Sequence, residues 1–172
     1  MSSEDCLYTI MSKRETREYI DGSVSEDIIF KILEAGRLAG SAKNRQPWHF
    51  VLIRQKRNLE RLSRFGDFAS HLARAAFAVV ILVPDTYLQD RFDAGRAAQN
   101  MMLAAHALGV GSCPITLHDQ EGAKEFLNVP PQLKICICIA FGYGSFGKSR
   151  GKVIRKPLDE ILHYEIYGGK GK

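Results

Sequence analysis

The sequence contains neither a long apolar run nor a basic leader followed by an apolar segment. Its longest apolar stretch, 75–84, is too short to span a bilayer. The first residues are polar and acidic, so no signal peptide is expected. Hydrophobic residues make up 45% of the chain and charged residues 25%, which is ordinary for a globular protein. We therefore expect a packed core and no membrane partner.

Cysteine is scarce, with four residues in the chain. Cys136 and Cys138 fall in a run, 135–141, that is typical of a buried strand, where residues two apart point to the same face. Neighbours on one face are poorly placed for a disulfide, and two cysteines without a nearby histidine are a weak zinc signal. We interpret them as small core residues, which favours a cytoplasmic protein without a bound metal.

Several catalytic motifs are also missing. No Gly-x-x-x-x-Gly-Lys-Ser/Thr is present, which argues against a P-loop ATPase. No Gly-x-Gly-x-x-Gly follows the first predicted strand, so a dinucleotide-binding Rossmann site is not supported. No Gly-x-Ser-x-Gly elbow occurs, and the five histidines lack metal-ligand spacing. The sequence therefore predicts no catalytic triad and no metal centre.

The chain is basic, with a formal net charge of +5 and a pI of about 9.1. Such a balance is found in proteins that bind nucleic acid, an anionic membrane or a phosphorylated ligand. The basic residues form no block of five, and they cluster only near 13–17 and 148–156. Small clusters at two distant places favour a compact anion over nucleic acid.

Four helices are predicted from apolar periodicity and capping residues, among them a short one marked by Leu59, Leu62 and Phe65 that stops at Gly66. Ser23 or Ser25 opens the first, which is expected to end near Gly40. The strongest pattern covers 90–108 and is apolar over much of its circumference, so this helix should be deeply buried. Asp119 can cap a later helix.

Four strands are predicted between the helices, at 48–53, 76–83, 113–116 and 134–141. Pro157 at a first helical position predicts a short helix through Leu162. The alternation of helix and strand, without repeat or linker, predicts a single domain over 1–172 in which helices cover a sheet. Whether that sheet is parallel or mixed stays open at this point.

Two basic clusters are candidates for binding a phosphate. Lys13, Arg14 and Arg17 place three cations within five residues, and the guanidinium fork matches two phosphate oxygens. Arg155 and Lys156 precede a predicted helix start, whose dipole also favours an anion. The alternative for each cluster is a solvated basic surface.

The segment 41–48, Ser-Ala-Lys-Asn-Arg-Gln-Pro-Trp, is a candidate for reading the edge of a planar ring. Asn44 and Gln46 each offer a donor and an acceptor, as a pyrimidine-like dione requires. Pro47 restricts the backbone that holds these amides. The alternative is a plain turn before a core tryptophan.

A glycine-containing segment, 109–115, is a further candidate. Its glycines let a backbone approach a flat ligand closely. It is equally typical of a helix C-cap followed by a tight turn.

Five segments of the chain, taken in order, resemble the nitroreductase family of FMN-dependent oxidoreductases. They are Lys13-Arg14-x-x-Arg17, the segment 41–51, the helix 93–111, Ala140-Phe-Gly-Tyr-Gly144 and the segment 155–160. The resemblance implies an α+β fold with a mixed central sheet flanked by helices. It also implies an intertwined homodimer that holds two FMN molecules in clefts between the subunits.

The resemblance further implies three sets of FMN contacts. Cations hold the phosphate and the ribityl chain, and the amide loop faces the isoalloxazine ring. The backbone after the helix 93–111 lines one face of the flavin. The residues concerned are, in that order, Lys13, Arg14, Arg17, Arg155 and Lys156; Ser41, Asn44 and Gln46; and Pro114, Ile115 and Thr116.

The implied activity is ping-pong electron transfer from NAD(P)H through FMN to a small planar acceptor, such as a nitroaromatic or a quinone. The alternatives are a specialised flavoenzyme with a narrow substrate and a flavin-binding or nucleic-acid-binding module without turnover. No side chain is singled out as catalytic, because the flavin carries the chemistry. One departure is Glu15, which stands where the family has serine; we expect it to turn outward or to pair with Arg17.

Overall fold

The computed structural model describes residues 3–144 and 154–171. Its helices are α1 (Ser3–Ser12), α2 (Glu26–Arg37), α3 (Lys56–Leu62), α4 (Leu88–Ala107) and α5 (Gln120–Phe126). Its strands are β1 (His49–Ile53), β2 (Phe77–Val83), β3 (Gly111–Ile115) and β4 (Lys134–Gly142). Short 3₁₀ segments cover Ala42–Asn44, Ser63–Phe65, Ser70–Arg74 and Leu158–Glu160. None of the helices in these ranges combines the length and the hydropathy needed to cross a bilayer.

The four strands form one sheet in the order β1-β2-β4-β3, and each neighbouring pair is antiparallel. The predicted α+β class is confirmed. The expected mixture of strand directions is not found among these four strands. A parallel pairing does occur between Glu15 and Ser112, as an isolated bridge. The apolar pattern could not decide this point, because a strand buried on both faces is a continuous apolar run in either kind of sheet.

Strand β2 lies at the centre of the core, and all seven of its residues are buried. Phe77, Val79 and Ile81 face one apolar layer, formed with α2 and α4. Ala78 and Val80 face a second layer, formed with α3 and α5. The sheet is therefore covered on both faces, as the sequence predicts.

A β-bulge changes the direction of one cysteine. The register between β2 and β4 shifts between Ile81 and Leu82, which leaves Cys136 as an extra residue. Cys136 consequently packs against the α2–α4 layer, whereas Cys138 lies in the opposite layer. The expectation that both cysteines share a face is wrong. Both thiols are free, and burial raises the pKa of Cys138 to about 12.

Three of the predicted helix signals act where they were expected. Ser25, rather than the competing Ser23, accepts a hydrogen bond from the first turn of α2. Asp119 caps α5 in the same way. Gly109 follows α4 with φ +75°, a left-handed conformation that suits glycine at a helix end.

The C-terminal segment differs from its prediction. Leu158–Glu160 is a single 3₁₀ turn, and Pro157 precedes it as the capping residue. The helix expected from Pro157 to Leu162 is therefore wrong. One turn lacks the aligned peptide dipoles of a helix, so the expected dipole effect on an anion near Arg155 is lost as well.

Candidate functional site

A cavity of about 220 Å³ lies beside the end of β3. It is lined by Arg17, Phe68, His71, Pro114, Ile115, Thr116 and His118. Arg17 and the three residues 114–116, which the sequence places in one site from distant parts of the chain, thus meet at one cavity. Their role in binding FMN stays a prediction.

The backbone explains why Arg17 reaches this cavity. Thr16 donates its amide hydrogen to the carbonyl oxygen of Ser112 at 2.9 Å, next to the Glu15–Ser112 bridge. A side chain at Gly111 would place its Cβ 2.6 Å from Oγ1 of Thr16, so glycine permits this close approach. The segment is thereby held alongside β3, with Arg17 exposed at the cavity.

His71 is a neutral group within this cationic site. Burial, and then the positive charge of Arg17, lower the pKa of His71 below its usual value, while a hydrogen bond to the backbone of Phe68 partly opposes this. Its Nε2 atom is buried and has no hydrogen-bond partner among the described residues. The surroundings of His71 thus disfavour a second positive charge on this ring beside Arg17.

Lys13 and Arg14 differ in their surroundings. Lys13 is buried, and its Nζ donates to Oε1 of Glu15 at 2.6 Å and to Sδ of Met102 at 3.6 Å. Glu15 lies on the solvent side, as one of the two expected alternatives has it. The other alternative, a pair with Arg17, is wrong, because the carboxylate pairs with the buried ammonium of Lys13. Arg14 is exposed and donates to two carbonyl oxygens of its own segment, at 2.7 Å each.

The amide loop, residues 41–46, has an unusual backbone. Lys43, Asn44 and Gln46 all have positive φ values, of 54°, 54° and 50°. Such angles are uncommon outside glycine, and each costs on the order of 1–3 kcal/mol. The Oγ atom of Ser41 accepts the amide hydrogen of Gln46 at 2.9 Å and closes the loop. Asn44 and Gln46 are consequently held exposed at the surface.

Helix α4 holds the amide loop in place. Asp93 is 2% exposed and accepts the amide hydrogen of Ala42 at 2.9 Å. Arg96 packs against Gly40, where a Cβ would collide with the guanidinium. Arg45 lies over the ring of Tyr87, 4.4 Å from its centroid.

The amide loop and Lys13 touch α4 at separate places. The loop bonds Asp93, whereas Lys13 contacts Met102, nine residues further along the helix. Nine residues are about two and a half helical turns, which gives a separation of about 13 Å along the axis and opposite sides of the helix. A single copy of the chain therefore holds these two predicted parts of the site apart.

The second basic cluster lies elsewhere. Arg155 and Lys156 are exposed, and Arg155 donates to the carbonyl oxygen of Ile154 at 3.3 Å. The described cavity lining does not include either residue. The backbone hydrogen bonds described for 154–171 stay within that segment. Positions 148–153 of this cluster lie outside the described residues, and no described hydrogen bond or cavity lining joins Arg155 or Lys156 to residues 13–17.

Sequence reasoning missed four residues of the site. Phe68, His71 and His118 line the cavity, but their spacing carries no pattern that predicts it. Asp93 did offer a signal, since a carboxylate on the buried face of an apolar helix needs a hydrogen-bond partner. Within the described ranges, no group of three or more His, Cys, Asp or Glu side chains is placed to hold a metal.

The model of the nitroreductase family matches the chain over residues 10–75 and 67–143. The chain belongs to the nitroreductase family.

A relative from Archaeoglobus fulgidus, provisionally named NADH dehydrogenase/NAD(P)H nitroreductase, is 34% identical over 149 residues, covering 81% of this chain and 86% of the relative. A nitroreductase from Desulfovibrio desulfuricans, provisionally named and solved in complex with FMN, is 30% identical with a TM-score of 0.85, covering 96% of this chain and 99% of that chain. An FMN-dependent nitroreductase from Clostridium difficile R20291 is 27% identical with a TM-score of 0.82, covering 92% of this chain and 99% of that chain.

The hydrogen bond from Ala42 to Asp93 can be tested by hydrogen exchange. Asp93→Ala leaves the Ala42 amide without its acceptor, so this amide should exchange about 10- to 100-fold faster, corresponding to about 1.5–3 kcal/mol. Asp93→Asn keeps an acceptor oxygen and should retain most of the protection. Equal protection in the Ala variant and the parent would show that Asp93 does not hold the loop.

The lowered pKa of His71 predicts a pH-dependent stability. Below its usual pKa of 6.5 the unfolded chain binds a proton that the folded chain resists, so stability falls as the pH drops. His71→Gln removes this contribution and should lose less stability between about pH 7 and pH 5. Urea unfolding at each pH measures the free energy of unfolding of variant and parent. The difference between the two proteins at about pH 8 gives the cost of repacking alone. If the unfolding free energies of variant and parent changed with pH in parallel, the lowered pKa of His71 would be contradicted.

Proposed function

We propose that this chain binds FMN and transfers electrons from NAD(P)H to a small planar acceptor, such as a nitroaromatic or a quinone. The observation that carries the proposal is the cavity at which Arg17 meets residues 114–116. Support also comes from the FMN complex of the Desulfovibrio relative and from the NAD(P)H-linked name of the Archaeoglobus relative.

The side chains present have the chemistry that binding of FMN requires. The exposed guanidinium of Arg17 offers a fork for phosphate oxygens. Pro114 and its neighbours present a backbone strip against which a flat ring can stack. Asn44 and Gln46 present exposed amides that can pair with the edge of a dione. These groups match the three parts of the cofactor: the phosphate, the ring face and the ring edge.

FMN, when bound, supplies the hydride-accepting chemistry. The chain then contributes binding, orientation and charge. Arg17 provides positive charge, and the strained amide loop holds its donors in a fixed direction. Burial and the charge of Arg17 lower the pKa of His71, which disfavours an added positive charge on its ring. No side chain of this site needs to act as a nucleophile.

We propose that the complete site forms in a homodimer of 1–172, one domain per subunit. The amide loop of one copy would complete the Arg17 cavity of the other, since one copy holds its loop and Lys13 on opposite sides of α4. Large apolar side chains are also exposed at both ends of the chain, which is typical of an interface. They include Leu7, Tyr8, Ile10 and Met11 in α1, and Ile154, Leu158, Ile166 and Tyr167 in the C-terminal segment.

The remaining features fit this proposal. All four cysteines are free, including the exposed Cys6, which supports placing the protein in the cytoplasm. Arg155 and Lys156, which do not line the cavity in one copy, become candidates for the phosphate of a site shared with the second copy.

Anaerobic titration with nicotinamides tests the electron transfer. The purified protein should be yellow, and NADH or NADPH should bleach its flavin absorbance, with recovery when a quinone or nitroaromatic is added. Protein without reduced nicotinamide is the control. Retained colour with neither nicotinamide able to bleach it would contradict an NAD(P)H oxidoreductase and leave a flavin-binding module.

Complementation between variants tests whether the site is shared. Arg17→Ala and Asn44→Ala each damage both sites of their own homodimer, and Arg17→Ala should weaken FMN binding by about 1.5–3 kcal/mol. In a heterodimer of the two variants, a shared site puts both lesions in one cleft and leaves the other intact. Co-expression with two affinity tags isolates this heterodimer, and equilibrium titration counts its tight FMN sites.

We expect about one tight FMN site per heterodimer. The heterodimer of a tagged parent with a tagged parent is the control and should hold two equivalent sites. Two equally weakened sites in the mixed heterodimer would place Arg17 and Asn44 in the same subunit. A parent protein that is monomeric and still binds FMN tightly would contradict the shared site.

A further inference from the structure

We propose that Glu15 competes with the phosphate of the cofactor for Lys13 and thereby weakens binding of the phosphorylated flavin selectively. This inference rests on the proposed function and concerns the same site. It gives a role to a carboxylate that stands in the middle of a phosphate-binding segment.

The geometry of the pair is that of an occupied anion site. The side chain of Lys13 is 6% exposed, and its ammonium lies 2.6 Å from Oε1 of Glu15. Its other described contact is Sδ of Met102, a weak acceptor that carries no charge. The carboxylate therefore provides the charge compensation that a buried ammonium requires.

Access to the ammonium runs past the carboxylate. The side chain of Glu15 is 38% exposed, far more than that of Lys13, so it is the solvent-facing partner of the pair. The backbone of Glu15 is fixed by its bridge to Ser112, which leaves the side chain as the part that can move. An incoming anion can reach Nζ by displacing this side chain.

Charge makes the competition specific for phosphate. A phosphate beside the intact pair meets the negative carboxylate at close range, and like charges at such distances repel. Displacement instead breaks the pair and exchanges one anion for another on the same lysine. In either case the cost falls on the phosphorylated flavin, whereas riboflavin, which has the same ring and no phosphate, does not incur it.

The test compares FMN and riboflavin on one set of variants without any nicotinamide. Glu15→Gln keeps the shape of the side chain and removes its charge, and it should lower the Kd for FMN by about three- to tenfold. The Kd for riboflavin should change less than about twofold, because riboflavin has no phosphate to repel. Quenching of flavin fluorescence measures both constants.

Two controls separate this effect from general charge and from folding. Asp21→Asn removes one exposed carboxylate nearby on the chain and should leave the ratio of the two Kd values at the parental value. Lys13→Met removes the contested ammonium, and adding Glu15→Gln to it should give a smaller gain for FMN than in the parent, because only direct repulsion is then relieved. An undiminished gain would show repulsion alone and overturn the competition for Lys13. Thermal unfolding identifies a variant that fails to fold, and Glu15→Gln alone still decides the question in that event.

The outcomes are distinguishable. An unchanged FMN Kd in Glu15→Gln, or an equal gain for FMN and riboflavin, overturns the competition while leaving the proposed function in place. A parent chain that binds neither flavin overturns the proposed function, and this inference with it. A selective gain for FMN that depends on Lys13 establishes Glu15 as the competitor.

Discussion

The candidate site depends on one short backbone contact, between the segment around Thr16 and strand β3. The amide of Thr16 bonds the carbonyl oxygen of Ser112, and Gly111 leaves room for the two backbones to meet. This contact joins residues almost a hundred positions apart and brings Arg17 to the backbone that follows Ser112. Without it, the basic cluster would be a charged surface segment, which was the alternative interpretation of its sequence.

Helix α4 positions the other two parts of the candidate site, the amide loop and Lys13. It packs on the sheet with one face and holds the amide loop through Asp93. It also contacts Lys13 through Met102 and, through His106, Ser12 at the end of α1. A single rigid helix thus fixes both the amide loop and Lys13, and keeps them apart in one chain. The strain of the amide loop is sustained because buried Asp93 and the Ser41 hydroxyl hold its backbone from two directions.

The sequence predicted the regular elements well, since their signals are local. The apolar run of β2, the cap at Asp119 and the periodicity of α4 each correspond to an observed element. The bulge at Cys136 was missed because it depends on the register with a neighbouring strand. The helix after Pro157 was wrong because a proline permits a helix start without supplying the packing that sustains one. Likewise, the choice of Glu15 between Arg17 and Lys13 rests on burial, which residue order does not give.

The C-terminal segment adds a kinetic consequence to the proposed homodimer. Its apolar side chains are exposed, with Tyr167 at 91% and Ile154 at 85%, and its described backbone hydrogen bonds stay within the segment. If a second copy covers these side chains, the last stage of folding becomes a bimolecular reaction, whose rate rises with protein concentration. A newly made subunit would then expose these apolar side chains until it met another subunit. The supply of subunits would therefore govern how quickly functional flavoprotein accumulates.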